Sequence, residues 1–293
     1  MAGAGTGIST IPSTTEMVAP RLVTPALALL AVAAFAGNSL LARAALGEGL
    51  IGAGSFTAIR LGAGALVLLP LLLRRQVVAG SFRASGALAL FVYCAGFSYA
   101  YVELGAATGA MVLFAAVQAT VLASTALSGQ KVRASDLAGI ALALGGVAVL
   151  LGAHLAPGPL LATASMIAAG IAWGLYSVMG RAAADPARRT AGNFLLAALL
   201  AAPLPLLDGA AAVSAKGLVL ATISGALTSA LGYVVWYRLV PRLPHAAVGA
   251  VQLATPVLAA LVAAVLLAEP LTLRLGIAAV LIIGGIAITL RRG

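Results

Sequence analysis

The sequence predicts an all-α integral membrane protein, with ten transmembrane helices arranged as two inverted five-helix repeats and both termini in the cytoplasm. Three observations carry that fold class. Hydrophobic residues make up 62% of the 293-residue chain and charged residues only 8%, whereas a soluble domain holds about a quarter charged residues to cover its surface. Apolar runs recur along the whole chain, each close to the roughly twenty residues that cross a bilayer. The second half also repeats the first at a nearly constant offset.

Taken in order, residues 1–20 are rich in Gly, Ser, Thr and Pro and read as a disordered cytoplasmic tail. The tail lacks the charged start and short apolar stretch of a cleavable signal, so the first helix is expected to be retained as an anchor. Spans are expected at residues 22–46, 54–73, 86–106, 108–127, 137–153, 159–180, 190–207, 217–238, 245–267 and 274–290. Turn chemistry separates them: Gly47 and Gly49, Arg74-Arg75, Gly129, Pro157-Gly158-Pro159, Asp185-Pro186, Pro241 with Pro244, and Glu269-Pro270. The runs are continuously apolar and far longer than the roughly ten alternating residues of a barrel strand. Repeat one is expected over 21–153 and repeat two over 157–290.

Charge placement orients the spans. The net charge of +10 would suit nucleic acid if it formed a patch, but the Lys and Arg residues sit in the gaps between apolar runs. With the N-terminus inside, Arg21, Arg74, Arg75, Arg83, Lys131, Arg133, Arg181, Arg188, Arg189, Arg238, Arg242, Arg291 and Arg292 fall on the inner side. Only Arg43, Lys216 and Arg274 fall outside, and Arg60 lies within helix 2. Such a bias is how a bilayer protein sets its topology, here in the plasma membrane. Lipid is therefore the expected partner, nucleic acid is not, and a monomer is compatible with the pattern.

The repeat is visible at an offset of about 138 positions, where Phe35, Ser39 and Arg43 lie over Trp173, Ser177 and Arg181. Near the same offset Tyr99 meets Tyr237, Gln118 meets Pro256, and Gly145-Gly146 meets Gly284-Gly285. Five helices per half is an odd number, so the second copy enters the membrane from the opposite face. Inverted repeats of this kind recur in secondary transporters, with the substrate between the halves near the midplane; the plain alternative is a passive scaffold.

The chain resembles the drug/metabolite transporter superfamily in its ten-helix EamA-repeat branch. The resemblance rests on Phe56-Thr57-Ala58-Ile59-Arg60, on Trp173 with Arg181, and on Thr255-Pro256-Val257-Leu258 leading to Leu267-Ala268-Glu269-Pro270. Ser128-Gly129-Gln130-Lys131, with Trp173 and Tyr176, looks like the YddG-type aromatic amino-acid exporters. Gln118 stands where the family usually has a helix 4 proline, so the first half is expected to bend less. The resemblance implies that helices 5 and 10 lie at the back while the others line a cavity. Asn38, Ser39, Tyr93, Tyr99, Tyr101, Gln118, Trp173, Tyr176, Ser177 and Gln252 then become substrate-contact candidates. For Gln118 and Gln252, substrate contact and helix-to-helix bonding are equally open. Trp236 and Tyr237, beside Arg238, read as an interfacial belt, and Arg60 as a side chain that snorkels or pairs with Glu103.

The inventory speaks against catalysis. His154 and His245 sit near helix ends, Cys94 is alone, and no two acids share a helix centre, so neither a metal site nor a cofactor is expected. A channel-like pore or a membrane-assembly subunit remains as the alternative to a transporter. With no carboxylate at mid-membrane, the expectation is facilitated export of small metabolites, amino acids and aromatic ones among them, rather than proton-coupled transport.

Overall fold

Inside hydrocarbon no water is available to a free N–H or C=O, so an apolar chain crosses as helices that bond their own backbone. The computed structural model describes residues 14–73, 83–152, 158–209, 213–267 and 272–291. Among them ten helices are long and apolar enough to cross. They are helix 1 (Val23–Leu46), helix 2 (Ala53–Leu73), helix 3 (Ala84–Leu104), helix 4 (Thr108–Leu127) and helix 5 (Ala134–Leu151). The second half holds helix 6 (Leu160–Met179), helix 7 (Pro186–Leu207), helix 8 (Ala215–Arg242), helix 9 (His245–Val262) and helix 10 (Leu273–Leu290).

Boundaries differ from the hydropathy reading where caps decide them. Helix 7 starts at Pro186, four residues before the apolar run, because the Asp185 side chain accepts from Arg188 N at 3.1 Å. Helix 5 starts at Ala134 for a similar reason, with Asp136 accepting from Arg133 N at 3.0 Å. At the N-terminus, helical backbone begins at Thr14, ahead of the membrane span. Lengthening a helix that has already nucleated costs little, so residues 14–20 join helix 1 rather than the expected tail. Residues 1–13, Arg74-Arg75 and Glu269-Pro270 lie outside the described residues.

The molecule is apolar on its outer surface, as a bilayer requires: Leu66, Val265 and Val280 are 71%, 82% and 72% exposed. Small residues bring the helices together. At Gly139 an added Cβ would lie 2.6 Å from the Gly285 carbonyl oxygen, and at Gly285 one would lie 2.4 Å from that of Gly139. Helices 5 and 10 therefore touch backbone to backbone. Not every helical glycine has this role, since Gly62, Gly145 and Gly276 face open space.

The packed pairs form a pattern. Helix 6 lies against helices 3 and 4, and helix 1 against helices 8 and 9. Helix 2 packs on helices 7 and 8, helix 7 on helices 2 and 3, helix 4 on helix 9, and helix 5 on helix 10. Exchanging each helix of the first half with its counterpart in the second returns the same set of pairs, the symmetry expected of two related halves.

The halves differ in regularity. Helix 8 widens into π turns over Ser224–Leu231, and helix 9 tightens into a 3-10 turn over Val251–Ala254. Pro256 explains the second: it has no N–H for the Gln252 carbonyl, and its ring crowds that oxygen. Helix 4, with Gln118 in place of the proline, is unbroken from Thr108 to Leu127, as the sequence led one to expect.

Candidate functional site

Helices 1, 3, 6 and 8 each send aromatic rings into one cluster at mid-membrane. Trp173 is its hub, 4% exposed, with ring centres of Tyr93 and Tyr233 both 4.7 Å away. Phe35 meets it edge-on at 5.4 Å and Tyr176 stacks on it at 5.5 Å. Aromatic pairs of this geometry contribute about 0.5–1.5 kcal/mol each beyond their burial. The indole N–H donates to the Gln252 side-chain oxygen, and the Gln252 amide N–H donates to Val248 O at 2.8 Å. Both irregular segments supply this region, Ser229 from the π turns and Gln252 from the 3-10 turn.

Arg60 overturns its sequence reading. It neither snorkels nor pairs with Glu103, which is exposed; its side chain is fully buried. Its Nε donates to Ser229 Oγ at 2.8 Å, one terminal nitrogen donates to Tyr233 OH at 2.7 Å, and the guanidinium sits 5.5 Å above the Tyr93 ring. The other terminal nitrogen, Nη1, has no partner. Placing a charge at the membrane centre costs about 2.5–3.5 kcal/mol on insertion scales, and hydrogen bonds to a charged group return about 1.5–3 kcal/mol each. The bonds to Ser229 and Tyr233 can hold the group in place, but both partners are neutral and leave its charge uncompensated. Geometry explains the misreading: Arg60 lies seven residues into helix 2, and the inward face of that helix, packed on helix 8, captures it before it can reach the interface.

The other candidates divide. Asn38 is buried and accepts from Ser224 Oγ at 2.7 Å, joining helices 1 and 8. Gln118 presses against Gly249 with neither amide atom partnered. Ser177 accepts from Trp236 Nε1 at 3.0 Å, and the Tyr176 backbone oxygen accepts from Tyr237 OH at 2.9 Å. Ser39 is tied to its own helix through Phe35 O at 3.2 Å. Tyr99 and Tyr101 lie toward the outer end, Tyr99 beside Gly54 and Tyr101 beyond Phe97. Trp236 and Tyr237 are not a belt: they are 0% and 1% exposed, because they face the protein, Trp236 packed on Phe35 and bonded to Ser177 and Tyr237 bonded to the Tyr176 backbone. Sequence reasoning also passed over Phe35, Ser229 and Tyr233. Only Arg60 carried a signal that could have found it, being a lone charge inside a span.

Each end of the bundle has its own polar cluster. At the outer end Asp208 accepts from Gly54 N at 2.8 Å and Ser55 N at 2.7 Å, so a connection of the second half caps a helix of the first. Nearby, Lys216 and Glu48 form an exposed ion pair at 2.8 Å. At the arginine-rich end an open cavity of about 690 Å³ is lined by Lys131, Arg133, Arg181, Arg242 and Arg291, with Asp136 and His245. Arg181 donates to Val240 O and Leu243 O there, and burial pulls its guanidinium below its ordinary value. Thr125 and His245 line this cavity, and Gln118 and Gln252 lie seven residues deeper on the same two helices, about 10 Å further in. Helices 4 and 9 thus run from the basic mouth to two buried amides, Gln118 and Gln252.

Residues 160–291 match the model of the EamA-like transporter family. An uncharacterized protein of Pseudomonas aeruginosa is 50% identical over 269 residues, covering 90% of this chain and 93% of its own length. The chain belongs to the EamA-like transporter family. A solved crystal structure 25% identical in sequence superposes with a TM-score of 0.77, over 94% of this chain and 99% of that one. Membership in this family makes the chain a multi-pass membrane protein and points to transport of small molecules rather than to catalysis. Among the described residues no cluster of His, Cys, Asp or Glu could hold a metal ion.

Proposed function

We propose that this EamA-family member is a facilitative exporter of small metabolites, amino acids and aromatic ones among them, working by alternating access about the mid-membrane cluster. The observation that carries the reading is the company Trp173 keeps. A wall of aromatic rings at the seam between the halves stands beside a buried polar atom with no protein partner, the Arg60 Nη1. Binding sites for small molecules combine apolar walls with a few convergent polar groups in this way. A buried polar atom without a partner costs free energy that an arriving solute can recover.

The cluster sits where the halves meet. Helix 1 touches helices 8 and 9, and helix 2 touches helix 8, so a solute bound there contacts both halves and favours the arrangement that closes around it. Facilitation follows from the acids. Glu16, Glu48, Glu103, Asp136, Asp185 and Asp208 lie at helix ends or in connections, so among the described residues no carboxylate is placed to carry a proton through the cycle.

Proteoliposome flux tests the proposal. Aromatic amino acids loaded on one side should equilibrate faster than in protein-free vesicles, and a pH gradient at equal solute should produce no accumulation. Accumulation that collapses on adding a protonophore would refute facilitation, and the absence of flux for every amino acid tried would refute the substrate class.

A further inference from the structure

Resting on the transporter reading above, we infer that Arg60 is the anion-binding residue of the central site, and that the transported solute carries a carboxylate beside a planar apolar body. The first ground is charge. Arg60 is fully buried, and among the described residues no carboxylate lies within 4.0 Å of it. Its partners Ser229, Tyr233 and the face of Tyr93 are all neutral. A glutamine or lysine could bond the same two hydroxyls, so bracing helices 2 and 8 does not by itself call for a guanidinium.

The second ground is geometry. A guanidinium presents its donors as a planar fork matched to a carboxylate. Here Nε and one terminal nitrogen are taken and Nη1 is unpartnered. Tyr93 and Tyr233, which touch the guanidinium, also pack on Trp173, with ring centres each 4.7 Å from it. An anion held at Nη1 therefore has aromatic faces within reach for the rest of its body. One uncompensated positive charge is offset by a single carboxylate, whereas a phosphate dianion would leave the buried site net negative.

The third ground is position. Arg60 belongs to helix 2 of the first half and both its hydroxyl partners to helix 8 of the second. A carboxylate that bonds Nη1 binds across the seam that alternating access must rearrange, which links occupancy to conformation. The basic mouth at the inner end raises the local concentration of anions before they enter.

The protein carries its own reporter. Its two tryptophans, Trp173 and Trp236, both border this cluster. Tryptophan emission of the purified full chain in nanodiscs, excited where phenylalanine does not absorb, reads occupancy directly. Titration with 3-phenylpropionate and L-phenylalanine should change the emission saturably, while phenethylamine and 3-phenylpropionamide should bind at least about tenfold more weakly. Arg60→Gln should reduce 3-phenylpropionate to the level of its amide, and Arg60→Lys, which keeps the charge but not the fork, should fall between. Equal binding of amine and carboxylate, no response to either carboxylate, or undiminished carboxylate binding in a folded Arg60→Gln protein would overturn the inference. If Arg60→Gln does not yield folded protein, the wild-type series of anion, amide and amine decides. Liposome flux separates this inference from the reading beneath it. Movement of phenethylamine without movement of either carboxylate leaves a transporter and removes the anion site. Carboxylate binding without flux of any solute keeps the anion site and removes the transporter.

Discussion

The hydrogen bond from Trp173 to Gln252 joins helix 6 to helix 9 at the centre of the membrane, and its contribution can be isolated by a double-mutant cycle. Trp173→Phe keeps a ring in the cluster but removes the indole donor, leaving the Gln252 side-chain oxygen buried and unpartnered. An orphaned buried acceptor costs about 1–3 kcal/mol, and the smaller ring adds about 1–2 kcal/mol of lost apolar burial. Gln252→Leu leaves the indole N–H orphaned in the same way. The double variant has neither orphan, so its loss of stability should be smaller than the sum of the single losses. In membranes such couplings average about 0.6 kcal/mol and reach about 1.7, because the unfolded chain also finds partners in lipid. At 1% and 4% exposure this pair belongs near the upper end, a factor of roughly ten in the unfolding equilibrium. Reversible denaturation in mixed micelles measures it. Additive losses would show that the bond adds nothing to stability. Flux measured on the same proteins asks a separate question: Trp173→Leu and Gln252→Ala should each cut transport more than they cut folded protein in the membrane. Losses in equal proportion would assign both residues to packing alone.

Three further outcomes are expected. A reporter fused at residue 293 should lie in the cytoplasm, as the arginine distribution requires; an external reporter would invert the whole topology. Asp208→Ala should destabilise the outer end by about 1–2 kcal/mol, since it strips the N–H groups of Gly54 and Ser55 of their acceptor; unchanged denaturation would show that solvent replaces the cap at no cost. Gly225→Ala should cost about 1–3 kcal/mol or more, because its methyl would lie 2.1 Å from the Arg60 carbonyl oxygen, with backbone on both sides. Gly62→Ala, on helix 2 but facing open space, is the control and should be neutral or mildly stabilising.

Much of this architecture was legible from composition and pattern. Helix 4 was expected at 108–127 and is found at Thr108–Leu127, and helix 2 starts one residue from its expected place. Hydropathy works this well because lipid leaves the backbone one local solution, so the length of an apolar run is close to the length of its helix. Larger errors arose where side-chain chemistry outvotes hydropathy, as at Asp185, whose cap starts helix 7 within a charged turn. The site was half legible. Of the two roles open to Gln252 on residue type and depth, substrate contact and helix-to-helix bonding, the structure shows the second, with Trp173 of helix 6 as its partner.

What the sequence by itself determined is the number of spans, their nature and the relation of the two halves, since each follows from local composition or from self-comparison. What only the tertiary structure decided is which way each polar side chain faces. Arg60, seven residues inside helix 2, is sealed among protein partners, whereas Glu103, at the outer end of helix 3, is exposed. Trp236, which the sequence pattern places at the interface, is wholly buried because Phe35 of helix 1 packs on it and Ser177 of helix 6 accepts its indole N–H. In a soluble protein the rule that polar groups face water would have sorted these residues. In a membrane both sides of a helix are apolar along most of its length, so facing is set by partners on other helices, and a linear pattern contains no record of them.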